Sequence, residues 1–121
     1  LSNRVFILPP QKNPYPFFII SDLYIMTSLY EGCPNSIIEA TILNLPVISS
    51  NCNSGPSEIL LNGRGGTFYK KKDTYSLMKK ISLFMGNKKI FKKKLKVARN
   101  NIYRFEEKRI LKQYNDLFKT L

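Results

Sequence analysis

The 121-residue chain carries 20 Lys and Arg against 8 Asp and Glu, a net charge of +12, with two cysteines and no histidine. The missing histidine excludes Ser-His and Cys-His nucleophilic sites and His-ligated metals. No apolar stretch approaches a membrane span, because the runs 17–20 and 23–26 are separated by Ser21 and Asp22.

The length fits one domain with a core of its own. Two features read as a piece of something longer: the chain begins at Leu1 rather than at a methionine, and its first apolar run has no earlier element to pair with. Cys33 and Cys52 lack a C-x-x-C spacing, so reduced thiols in a cytoplasmic protein are the expectation.

Val5 to Leu8 is short, wholly apolar and followed by Pro9-Pro10, the pattern of a strand buried on both faces of a parallel sheet. Asn13 and Pro14 open a short helix over Tyr15 to Ser21. Asp22 to Thr27 is the next strand. Ser36 to Leu43 has helix length and is stopped by Asn44-Leu-Pro46, and Val47 to Ser49 makes a third strand. A turn-rich loop, Ser50 to Gly55, leads to a short helix opened by Pro56 and ended by Asn62-Gly63. Thr67 to Tyr69 is the fourth strand. Strand, loop and helix in repetition predict an α/β fold, a Rossmann-like doubly wound parallel sheet of about four strands flanked by helices.

From Asp73 the pattern turns to helix alone. Asp73-Thr74 caps a run in which Tyr75, Leu77, Met78, Ile81, Leu83 and Phe84 fall largely on one side, ended by Gly86-Asn87. A second helix runs from about Lys88 to Asn100. A third spans Glu106 to Leu121, with Ile110, Leu111, Tyr114, Leu117 and Phe118 at three-and-four spacing. The positive charge sits late, in Lys70–Lys72, Lys79-Lys80, Lys88-Lys89 and Lys92–Lys94 with Lys96. Such runs read as solvated helix faces. An anionic membrane surface is the alternative partner, and nucleic acid is not expected, because no base-reading motif stands beside them.

The chemistry concentrates in Glu31-Gly-Cys-Pro-Asn-Ser-Ile-Ile-Glu39, two carboxylates flanking a helix start. In parallel α/β sheets ligands bind beyond the carboxyl ends of the strands, so the loops Pro9 to Asn13, Ser28 to Asn35 and Ser49 to Gly55 should gather at one rim. A carboxylate accepts hydrogen bonds from sugar hydroxyls, and the helix start near Ser36 offers N–H groups and a positive dipole end to a phosphate. Ser36-Ile-Ile-Glu39 is also a capping box, in which Glu39 would return to the Ser36 amide. Spacing alone favours that structural role for Glu39.

The segments Ser28 to Ala40, Leu45 to Ser50 and Ser54 to Leu60, with Asn13-Pro-Tyr15 and Ser21-Asp-Leu23 upstream and Phe105 to Phe118 downstream, resemble the donor-binding half of glycosyltransferase family 4. The likeness covers nearly the whole chain. It implies retaining, metal-independent transferases of the GT-B fold, with two Rossmann-like domains facing across a cleft and no cofactor beyond the nucleotide-sugar substrate.

Carried over by residue, the resemblance makes Glu31 the catalytic-site carboxylate that holds the donor sugar. Gly32, Cys33, Pro34 and Asn35 would line that sugar, the amides near Ser36 and Ile37 would face the diphosphate, and Glu39 would take the ribose hydroxyls in preference to capping. The chain departs from the family pattern at Pro9, where a glycine commonly ends the first strand. The family's basic diphosphate clamp and its acceptor domain lie upstream of the region present here. The implied activity is transfer from a nucleotide-sugar, expected to be a UDP-sugar, to a glycan or lipid-linked acceptor, by an enzyme that is cytoplasmic or peripheral on the inner membrane face. A basic membrane- or nucleic-acid-binding α/β module without catalysis is the competing reading, and the 121 residues alone are expected to be inactive.

Overall fold

The computed structural model describes residues 2–52 and 54–120; Leu1, Asn53 and Leu121 lie outside the described residues. Three short strands, β1 (Tyr24–Met26), β2 (Val47–Ser50) and β3 (Thr67–Tyr69), form one parallel sheet in the order β1-β2-β3. The register pairs Ile25 with Ile48 and Ser49 with Phe68. Six α-helices are described: α1 (Tyr15–Ile20), α2 (Asn35–Ile42), α3 (Gly55–Ile59), α4 (Thr74–Gly86), α5 (Lys88–Arg99) and α6 (Glu107–Phe118). Short 3-10 turns occupy Ser2–Arg4 and Ile102–Phe105.

Alternation along the strands divides the core in two, because successive side chains point to opposite faces. Met26 and Val47 join Ile37 and Ala40 of α2 and Ile59 of α3 on one face. Ile48 and Tyr69 join Phe84 of α4 and Phe91 of α5 on the other. A sheet covered on both faces in this way is the doubly wound arrangement expected from the sequence. The junctions are fixed by side chains. Asp73 Oδ1 accepts the Ser76 amide at 2.8 Å and Asn87 Oδ1 accepts the Ile90 amide at 3.3 Å, each cap contributing about 1 kcal/mol. Asn13 Oδ1 accepts the Tyr15 amide at 3.1 Å, but the cap position of α1 falls one residue later than expected, at Pro14, which is not inside the first turn.

One expected strand does not form. Val5 to Leu8 has no ladder partner among the described residues, and Ile7 is 95% exposed. Apolar composition states what a segment would bury, whereas a strand also needs a neighbour to complete its hydrogen bonds, and none is described beside this one. The sheet therefore has three strands rather than four.

Two helices also differ from the periodicity. In α4, Leu77, Ile81 and Phe84 pack inward while Tyr75, Met78 and Leu83 are exposed. The apolar stripe of α6 keeps its spacing, yet Leu111, Tyr114, Leu117 and Phe118 are all exposed. The helix ends at Phe118, and the expected terminus at Leu121 lies outside the described residues.

Candidate functional site

The loops leaving β1 and β2 are tied to each other at the carboxyl ends of the strands. The Ser50 hydroxyl donates to the Ser28 carbonyl, Glu31 forms a parallel bridge with Ser54, and Ser54 Oγ donates to the Glu31 carbonyl at 3.1 Å. Ser54 reaches this position with φ of 82°, in the left-handed region that side chains rarely occupy. Gly55 completes the junction. A Cβ there would lie 1.7 Å from the Gly32 carbonyl oxygen and 2.8 Å from Pro34 Cδ, so only glycine admits the two loops at this spacing. Gly32 is the reverse case: it is exposed, and a Cβ on it would meet nothing within 4 Å. No protein contact fills that space, and a ligand can.

Pro34 is buried and precedes α2 in an extended conformation, with φ of −72° and ψ of 100°. The Ile37 amide donates to the Pro34 carbonyl at 3.0 Å, and the Ile37 side chain is fully buried in the core. The side chain thus anchors the first turn of α2 in the core. The amides of Asn35 and Ser36 precede any i→i−4 acceptor, and Asn35 is exposed. Ser36 is half-buried and its hydroxyl accepts from Tyr24 Oη at 2.8 Å, fastening the helix start to β1.

Glu39 sits on α2, half-buried. The capping box does not form: α2 begins at Asn35 with no side-chain cap, and Glu39 Oε1 accepts instead from Tyr15 Oη at 3.4 Å. The carboxylate thus faces α1 and leaves the backbone of its own helix to be satisfied otherwise. Glu31 is half-buried with its main chain locked to Ser54. Cys33 is exposed, and its partial burial together with the Glu58 carboxylate raises the thiol above its ordinary pKa. Both effects disfavour the thiolate, the reactive form of the side chain.

The loop Pro9 to Asn13 is exposed and leaves no strand, so of the three loops expected at the rim, those after β1 and β2 are joined directly. The structure also brings forward residues that the motif alone did not mark. Gly55 and Ser54 seat the Glu31 loop, and Tyr15 holds Glu39. A glycine-proline pair after a turn-rich loop was the visible signal for the first, and the tyrosine of Asn13-Pro-Tyr15 for the second.

A parallel sheet covered on both faces, with an open helix start and the Glu31 loop beyond its strand ends, defines the class of α/β domains that bind ligands at the carboxyl rim. Residues 1–105 match the Glycosyl transferases group 1 family, and the chain belongs to it. It is similar to the amylovoran biosynthesis glycosyltransferase AmsD of Erwinia amylovora, 28% identical over 92% of this chain and 31% of that protein. It is also similar to the N,N'-diacetylbacillosaminyl-diphospho-undecaprenol alpha-1,3-N-acetylgalactosaminyltransferase of Campylobacter jejuni, 29% identical over 80% of this chain and 26% of that one.

The crystal structure of Anabaena Alr3699/HepE in complex with UDP superimposes with a TM-score of 0.88 at 21% identity, over 99% of this chain and 33% of that one. The fold is therefore that of the carboxyl-terminal portion of a GT-B glycosyltransferase. The chain spans about a third or less of the length of these relatives.

Proposed function

We propose that the protein containing this chain transfers a sugar, with retention, from a nucleotide-sugar donor to a glycan or lipid-linked acceptor in polysaccharide or lipopolysaccharide synthesis, and that these residues form its donor half. UDP is the proposed nucleotide, in line with the UDP named for HepE and the lipid-diphosphate acceptor named for the Campylobacter enzyme. No cofactor and no metal ion take part.

Glu31 accepts hydroxyl protons of the donor sugar beside the reacting carbon, and Gly32, Cys33, Pro34 and Asn35 line the sugar. The amides near Ser36 and Ile37, with the positive end of α2, receive the diphosphate as charge grows on it during bond breaking. Glu39 accepts the ribose hydroxyls. Glu31 positions the sugar and forms no covalent bond to it. The acceptor domain and the basic diphosphate clamp belong to other parts of the protein, and the protein works in the cytoplasm or on the inner face of the cell membrane.

The observation that supports this reading is the contact of the Glu39 carboxylate with Tyr15 in place of a helix cap, together with the absence of any protein atom within 4 Å of a Cβ on Gly32. Calorimetric titration of the full-length protein with UDP-, GDP- and ADP-sugars tests it. Saturable binding of a UDP-sugar, unaffected by a chelator, is the expected result; no binding of any nucleotide-sugar would reject the reading.

A further inference from the structure

The charge of this molecule is concentrated, and the fold gives partners to only part of it: Arg99 donates to Asn44, and Arg104 to the Asn101 and Glu58 carbonyls. Between Thr74 and Phe105 lie ten of the twenty basic residues and none of the eight acidic ones. On α5, Lys88, Lys92, Lys96 and Arg99 line a groove of about 760 Å³ together with Asp22, Asn44 and Leu95. Asp22 and Asn44 precede β1 and β2, so this groove lies at the amino ends of the strands, opposite the rim that carries Glu31. Lys88 pairs with Asp22 at 3.0 Å, the one ion pair among the described residues. Lys94 is spent on structure, donating to the carbonyls of Gly63 and Gly66 at 2.6 and 2.9 Å.

The other four lysines of α5 face water without a carboxylate. Lys89, Lys92, Lys93 and Lys96 are exposed, and the 92/96 and 89/93 spacings set like charges one turn apart, where they repel. By the same periodicity Lys89 and Lys93 run beside Ile90 and Val97, which are 40% and 37% exposed. Met85, 75% exposed, precedes the band. A lysine band bordered by exposed apolar side chains is the composition of a helix that rests on a membrane interface. Among the described residues, no helix is long and apolar enough to cross one.

We propose that the α5 face is a docking surface for an anionic lipid bilayer, with Lys89, Lys92, Lys93 and Lys96 in the headgroup field and Ile90 and Val97 at its apolar boundary. Lysine suits this partner. It is a point charge that responds to a diffuse surface potential, whereas nucleic acid favours arginine forks and stacked aromatics, and the exposed face of α5 has no aromatic side chain. The proposal is independent of the donor reading, since the surface lies at the other end of the sheet.

The test is co-sedimentation of the intact protein with phosphatidylcholine vesicles, with and without phosphatidylglycerol. Partitioning should require phosphatidylglycerol and weaken with added salt. Each basic side chain near such a surface multiplies partitioning about fivefold, so Lys92→Gln with Lys96→Gln should lower it about 25-fold. The same double variant should melt no lower than wild type, because it removes a repulsion. Should it fail to fold, Lys89→Gln with Lys93→Gln serves the same measurement. Equal partitioning to neutral vesicles, or unchanged partitioning of the charge variants, would overturn the proposal. So would indifference to phosphatidylglycerol alongside salt-dependent binding of duplex DNA, which would make the face a nucleic-acid interface.

Discussion

A methyl group on Gly55 would sit 1.7 Å from the carbonyl oxygen of Gly32, so the loop that carries Glu31 is seated on a residue that cannot bear a side chain. Gly55→Ala must push the two loops apart, at a cost of about 3 kcal/mol or more, the upper range for overpacking. Gly32→Ala meets no protein atom within 4 Å and should change stability by less than about 0.5 kcal/mol. Its methyl would enter the proposed sugar space, so it should weaken donor binding. Thermal melts paired with donor titration of the full-length protein separate the two glycines.

Lys94 differs from its lysine neighbours. Burial, with Lys80 nearby, lowers its pKa, and its ammonium holds the Gly63 and Gly66 carbonyls at the turn before β3. Lys94→Met should lose about 1.5–3 kcal/mol of stability, the range for hydrogen bonds to charged groups. Lys92→Gln should lose none. Chemical denaturation of the two variants checks this, and equal effects would mean that the lysines of α5 are structurally alike.

Cys33 stands within the motif and yet should react slowly. Its folded pKa lies above the ordinary 9.0, held there by burial first and the Glu58 carboxylate second. Thiolate therefore accumulates only at higher pH than in an unfolded chain. Alkylation rate followed against pH should show a midpoint above 9.0, shifted downward by Glu58→Gln. A midpoint below that value would contradict the local electrostatics described here.

Tyr15→Phe removes the hydroxyl that meets Glu39 at 3.4 Å. The contact is long, exposed and weak, so melting should barely change, by less than about 0.5 kcal/mol. Nucleotide affinity should fall by a few-fold, since the carboxylate loses the partner that orients it. A stability loss without an affinity loss would restore a purely structural role for this pair.

Much of the fold was legible because its signals are local. The short apolar runs of β1, β2 and β3, Asp73 before α4 and Gly86-Asn87 between α4 and α5 announce themselves within a few residues. Val5 to Leu8 misled because strand formation depends on a neighbour that local pattern does not report. In α4 the apolar stripe is wider than the buried line, since Tyr75 and Met78 lie off the row of Leu77, Ile81 and Phe84.

The site was legible as a motif and not as a geometry. Glu31 and Glu39 stood out by spacing, but the capping box that competed for Glu39 could be dismissed only once α2 was seen to begin at Asn35. The contacts of Gly55 with Gly32 and of Tyr15 with Glu39 join distant parts of the chain and leave no periodic trace.

The central claim is that Glu31 holds the sugar and Glu39 the nucleotide of one donor. Titrating the full-length protein and its Glu31→Gln and Glu39→Gln variants with both UDP and the UDP-sugar that binds best tests it most directly. Glu39→Gln should weaken both ligands alike, whereas Glu31→Gln should leave UDP affinity unchanged and remove the increment contributed by the sugar. Equal behaviour of the two variants, or unchanged affinity in both, would contradict the account.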